Sequence, residues 1–203
     1  MDICGPFPVQ GPSHERYFIV ALDDYSNYAA VDCLLTRDQA FTFFVAVQSN
    51  WERQTGKKLR VVRIDGAKEL VSGELGHHFT EQGISVQQTA WYAHQQNGKA
   101  ERFVRTIEDH SRALIASSEL PPSYWTYAVH TAAYLRRRLP SSTLPKGVTP
   151  YEAMCQTKPV YDHLCVWGSQ AFIIDPAEVR PKGGPMRYEG IFVRYEENRV
   201  GWI

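Results

Sequence analysis

The chain is 203 residues long, 43% hydrophobic and 22% charged, enough for one good-sized core or one domain with an appendage. Its 22 basic residues balance 22 acidic ones, and this zero net charge argues against a dedicated nucleic-acid-binding module but not against an enzyme with a local basic patch. No apolar run approaches the roughly 18 to 20 residues needed to span a bilayer, and no secretory signal opens the chain.

Residues 2–10 begin as a short strand that Gly5, Pro6 and Pro8 break, with a turn at Gly11-Pro12-Ser13. The β-former run 17–22 ends in Asp23-Asp24, and residues 28–35 alternate as a third strand, so the opening reads as an antiparallel meander. From Asp38 the period changes: Ala40, Phe44, Val47 and Trp51 form the stripe of a helix, with Thr36 or Asp38 as N-cap and Gly56 as stop. Residues 59–64 form a strand that delivers Asp65 at its end. A helix over residues 73–81 and a strand over 84–88 follow, and the polar, aromatic stretch 89–97 reads as a loop, with Trp91 and Tyr92 packing beneath it.

Helical periodicity returns at Gly98 and lasts to Ser117, with Val104, Ile107, Ser111 and Leu114 on one side. Pro121-Pro122-Ser123 opens another helix whose Trp125, Ala128, Val129 and Ala132 point inward and whose basic end is Arg136-Arg137-Arg138. Residues 141–150 are a linker; a short helix from Val148 and two strands, 170–174 and 190–195, complete the chain. The division expected is a core over residues 1–140 and a linker with a small α+β extension over 141–203. Strands followed by a β-α-β-α-β crossover predict an α/β architecture: a ribonuclease-H-like mixed five-stranded sheet flanked by helices.

Cys4, Cys33, Cys155 and Cys165 lack a Cys-x-x-Cys pair and read as reduced intracellular thiols. The seven histidines do not fall at zinc-finger spacing from them, and His77 and His78 read as solvated helix surface.

Three acids stand where such a fold concentrates chemistry: Asp2 at the start of strand one, Asp65 leaving strand four, and Glu101 on the helix that follows the loop. Strands one and four are neighbours in this fold, so the two aspartates are expected side by side. Glu101, Arg105, Glu108 and Arg112 share one helix face, while Val104, Ile107 and Leu114 dock the other. Carboxylates converging from rigid elements are what metal-assisted phosphoryl transfer on nucleic acid needs, and magnesium suits such hard oxygen donors.

The blocks around these acids carry a resemblance. Asp2-Ile-Cys-Gly-Pro-Phe-Pro, Tyr17-Phe18, Asp23-Asp24-Tyr25-Ser26, Gly56-Lys57-Lys58, Arg63-Ile64-Asp65 with Glu69, and Gln95-Gln96-Asn97-Gly98 followed by Ala100-Glu101-Arg102 run in order along the chain. Thr149-Pro150-Tyr151-Glu152-Ala153, Val166-Trp167-Gly168 and Gly190-Ile191-Phe192-Val193 continue the series, and 35 residues separate Asp65 from Glu101. Together they resemble the integrase catalytic core of copia-type LTR retrotransposon polyproteins, in the retroviral integrase superfamily.

That resemblance implies a metal-binding catalytic triad of Asp2, Asp65 and Glu101, using Mg²⁺ or Mn²⁺ to join element DNA ends to target DNA. It implies an active-site loop of Gln95, Gln96 and Asn97 on DNA, with Lys99, Arg102 and Arg105 placed to meet phosphates. The partners it implies are double-stranded DNA, further copies of the chain, and zinc-binding and C-terminal regions of the parent polyprotein; the site of action is the nucleus. The chain departs from the pattern in Gly66-Ala67-Lys68 after Asp65, in Ala93-His94, and in Lys99 at a usually apolar position. Asp2 lies at a start expected to fray, as in a truncated gene model. Two rival expectations therefore stand beside the enzyme: an inactive or domesticated element remnant keeping nucleic-acid or self-association contacts, and a nuclease acting on RNA–DNA hybrids.

Overall fold

A computed structural model describes residues 1–64, 73–88, 94–174, 187–196 and 203, the side chains of 88 and 94–97 excepted. β1 (Asp2–Cys4), β2 (Tyr17–Leu22) and β3 (Ala29–Leu34) form an antiparallel sheet in the order β1-β2-β3. β1 is shorter than residues 2–10 because Gly5 and the prolines end it. β2 is the middle strand, and Phe18, Ile19 and Val20 have no exposed surface. Such a run is buried on both faces, so helices must cover both sides of the sheet.

They do so in two layers. Ile19, Ala21 and Leu34 pack against α1 (Ala40–Thr55) and α2 (Glu74–Glu81) through Phe43, Phe44, Leu75 and Phe79. Phe18, Val20 and Val31 pack against α3 (His94–Ser118) and α4 (Trp125–Arg138) through Val104, Ile107, Trp125 and Val129. β4 (Val61–Ile64) and β5 (Ser85–Gln88) pair in parallel, Val62 opposite Val86, as the crossover through α2 requires. The five strands thus form ladders of three and two among the described residues, and the Met1 ammonium, 2.8 Å from the Arg63 carbonyl, bridges them. Met1, Val62 and Ile64 share the α1–α2 core, so one apolar layer runs beneath all five strands. Met1 is only 8% exposed, and the start of the chain is held rather than frayed.

Several local expectations change. Neither Thr36 nor Asp38 caps α1: a 3-10 turn over Arg37–Gln39 precedes it, and Gln39 turns its side chain back to accept from the Leu35 amide at 2.7 Å. Gly56 does end α1, with φ +67. His78 is not solvated surface, because its Nε2 meets Gln48 Oε1 at 2.8 Å and its ring sits edge-on to Phe41 and Phe44. α3 begins at His94, four residues before Gly98. The polar first turn has no apolar position to show a helical period, and a glycine reads as a boundary. Trp91 and Tyr92 lie outside the described residues.

Beyond α4, Thr149 caps α5 (Pro150–Cys155) by accepting from the Glu152 amide at 3.1 Å. β6 (Gln170–Ile173) and β7 (Tyr188–Ile191) form an antiparallel pair. The segment beside them packs on α4: Trp167, Phe192, Val193 and Tyr195 share a core with Ala128 and Tyr134, and Thr131 donates to the Val193 carbonyl at 3.1 Å. Gly168, at φ +82, passes so close to α3 that a β-carbon there would come 2.4 Å from Ser118 Cβ.

Candidate active site

Directly opposed residues of an antiparallel pair share a face. Asp2 lies opposite Val20 and Cys4 opposite Phe18, so Asp2 faces the layer of α3 and α4. α3 lies over this face and is anchored at two points. Lys99 Nζ reaches Asp24 Oδ1 at 2.9 Å, and also the Asp24 carbonyl, in the turn that follows β2. Nine residues on, Glu108 Oε1 accepts from the Cys4 thiol at 3.1 Å.

The end of β2 adjoins the start of β1, because Asp2 pairs with Val20. α3 therefore runs from the Asp2 end of the sheet towards Cys4, rising about 1.5 Å per residue. Glu101 falls between the anchors, half-buried, on the side of α3 that also carries Glu108. The fold thus brings Asp2 and Glu101 to one end of one face. Asp65 follows β4 directly and lies outside the described residues, although the Met1–Arg63 bond sets the end of β4 beside the start of β1.

No protein-family model matches the chain. It is 35% identical over 201 residues, 99% of its length, to the retrovirus-related Pol polyprotein from transposon TNT 1-94 of Nicotiana tabacum. It is 27% identical over 165 residues to the corresponding polyprotein from transposon RE1 of Arabidopsis thaliana, covering 81% of this chain. Over nearly its whole length the chain is similar to one segment of the copia-type retrotransposon Pol polyproteins. It spans 15% of the length of the tobacco polyprotein and 11% of the Arabidopsis one. Its fold is similar to that of the HTLV-2 integrase catalytic core solved in complex with magnesium in a trimeric form: TM-score 0.52 at 19% identity, over 68% of this chain and 84% of that one. The likeness shows the ribonuclease-H-like fold.

The residues expected to contact DNA stand as follows. Gln95, Gln96 and Asn97 belong to the first turn of α3 rather than to a loop, and their side chains lie outside the described residues. Arg102 and Arg105 are exposed, and the Arg102 guanidinium lies over Gly98, where a β-carbon would come 3.1 Å from Nη1. Lys99 is engaged with Asp24, and its hydrogen bond holds the Asp24 carboxyl below the usual carboxylate range. A carboxylate with a lowered pKa stabilises the fold at neutral pH and loses that contribution as pH falls through its folded value. The Asp24 side chain is 82% exposed, so Lys99→Ala is expected to cost less than about 1 kcal/mol. An NMR titration should show the Asp24 carboxyl returning towards its ordinary value; an unmoved titration contradicts the pairing.

Sequence reasoning missed the pairing of Cys4 with Glu108. Their signals were present: Cys4 is two residues beyond Asp2 on one strand face, and Glu108 is two helical turns beyond Glu101. Burial, reinforced by the Glu108 hydrogen bond, pushes the Cys4 thiol up to about 12. At pH 8 about one molecule in 10⁴ would carry its thiolate. Iodoacetamide is therefore expected to label the exposed Cys165 long before Cys4, as peptide mass spectrometry would show. Equal labelling rates would mean that Cys4 is open to solvent.

Among the described residues no group of three or more His, Cys, Asp and Glu side chains is gathered to hold a metal ion. Asp2 and Glu101 do provide hard carboxylate oxygens on two packed elements, the donor type Mg²⁺ prefers, with Asp65 as the third donor the sequence names. A cleft of about 950 Å³ is bordered by Met1, Asp24, Arg63, Lys99 and Ala100, and by neither Asp2 nor Glu101 themselves.

Proposed function

We propose that this integrase core catalyses strand transfer, in which the 3′-hydroxyl of an element DNA end attacks a phosphodiester of target DNA. What supports the reading is the register of β1 on β2 together with the two anchors of α3, which put Asp2 and Glu101 towards one end of one sheet face. Asp2, Asp65 and Glu101 would hold divalent metal, Mg²⁺ or Mn²⁺. Held there, such a metal would supply polarisation of the phosphate and stabilisation of the entering and leaving oxygens.

The chain's own groups orient and exclude. Strand β1 fixes Asp2, whose Oδ1 accepts from the Ile3 amide at 2.8 Å. α3 fixes Glu101 through the buried Val104 and Ile107. Gln95, Gln96, Asn97, Arg102 and Arg105 stand at the α3 end that would meet the DNA, where amides and guanidiniums bind phosphate and sugar. Arg63 and Lys99 border the cleft in which target DNA would lie. A multimer gripping two DNA ends, working in the nucleus with the zinc-binding and C-terminal regions of the parent polyprotein, completes the proposal.

The test is strand transfer between duplex oligonucleotides in Mg²⁺ or Mn²⁺. Activity that disappears in Asp65→Asn supports the reading. An intact chain that neither joins DNA ends nor is stabilised against heat by either metal overturns it in favour of an inactive remnant.

A further inference from the structure

The basic end of α4 does more than complement the helix dipole. Arg136 reaches forward to the Leu139 and Pro140 carbonyls at 3.4 and 3.5 Å. Arg137 Nε and Arg138 Nη1 donate to the carbonyls four residues back, Ala133 at 3.3 Å and Tyr134 at 3.1 Å. Both side chains also line a cavity of about 310 Å³ between α1, α4 and α5, where Arg53 arrives from α1. Three guanidiniums line this cavity, with no carboxylate among the described residues that line it.

Aromatic faces hold the cations in place. Arg138 lies 3.4 Å from the Tyr134 ring centroid and 4.9 Å from that of Tyr151. Arg137, 2% exposed, lies 5.0 Å from the Tyr28 ring and donates to the Tyr28 hydroxyl at 3.0 Å. Stacking fixes the plane of a guanidinium and leaves its edge for an acceptor. Three positive charges brought together without a carboxylate among the described lining residues repel one another, and an anion between them relieves that repulsion.

A helix-dipole role does not explain Arg53, which comes from another helix and lines the same cavity. We propose that this cavity is a binding site for a phosphate-type oxyanion, of the size of pyrophosphate or of a single ester phosphate on a larger molecule. Tetrahedral phosphate oxygens match the guanidinium forks, and the volume lies at the small end of the range for ligand sites. The site is separate from the active-site end, since neither Asp2 nor Glu101 lines it. It needs no metal and does not depend on the proposed strand transfer.

The test is calorimetric titration of the whole chain with pyrophosphate in excess chelator, against sodium chloride of equal ionic strength. Saturable one-to-one binding is expected, weakened about tenfold or more in Arg53→Ala and in Arg138→Gln, and unchanged in Arg16→Ala, which alters an exposed arginine elsewhere. Arg53 is exposed, so its variant should fold even if Arg138→Gln does not. Displacement of pyrophosphate by a short single-stranded oligonucleotide would identify nucleic-acid phosphate as the source, and failure to displace would identify a free small phosphate. Absence of saturable binding, or the same affinity in Arg53→Ala, overturns the proposal.

Discussion

Glu101→Gln is expected to lower strand transfer by roughly a hundredfold or more while leaving the fold intact. The amide keeps the volume of the side chain and the helix propensity of its position, so the packing of α3 through Val104 and Ile107 is undisturbed. What it removes is the negative charge that Glu101 would bring to a divalent cation in the proposed site. Changes to groups that merely orient a ligand cost 10- to 100-fold, so loss of a ligand itself should cost more. Strand transfer and thermal unfolding measured on the same preparation separate the two effects. A variant that melts with the parent but retains more than a tenth of its activity would remove Glu101 from the catalytic set.

Ile107→Ala is expected to destabilise the protein by about 2–5 kcal/mol, the range for large-to-small substitutions in a close-packed core. Ile107 has no exposed surface and packs in the cluster of Phe18, Val20, Trp125 and Val129. It sits between the two anchors of α3, so the cavity it leaves lies where the helix that carries Glu101 meets the strand that pairs with β1. Activity should fall with stability, because Glu101 is positioned only as well as α3 is docked. Urea titration should show a lower midpoint at an unchanged slope. A loss below 1 kcal/mol would mean that α3 does not depend on this contact. Glu119→Ala, on an exposed residue beyond the end of the same helix, should stay within about 0.5 kcal/mol of the parent.

Much of this protein is written locally. The stripe of Ala40, Phe44, Val47 and Trp51, the β-former run of β2 and the Gly56 stop each act over a few residues, and the structure has each of them. The buried face of α3 was equally legible, because Val104, Ile107 and Ser111 recur at helical spacing and all are buried. The blocks around Asp2, Asp65 and Glu101, with their 35-residue interval, pointed to the family before any geometry was available. Where a turn lacked an apolar position, as at His94 to Asn97, the period vanished and the helix start was misplaced.

What only the tertiary structure decided are contacts between residues far apart in the chain. Cys4 and Glu108 are 104 residues apart, Lys99 and Asp24 are 75 apart, and Met1 lies 62 from Arg63. No periodicity or capping rule links such positions; they meet because α3 is laid across β1 and because β4 comes alongside β1. The same holds for Arg53, Arg137 and Arg138. In sequence the last two are a basic helix end, and only the packing of α5 against α1 and α4 brings them beside Arg53, stacks them on tyrosines, and forms a cationic cavity.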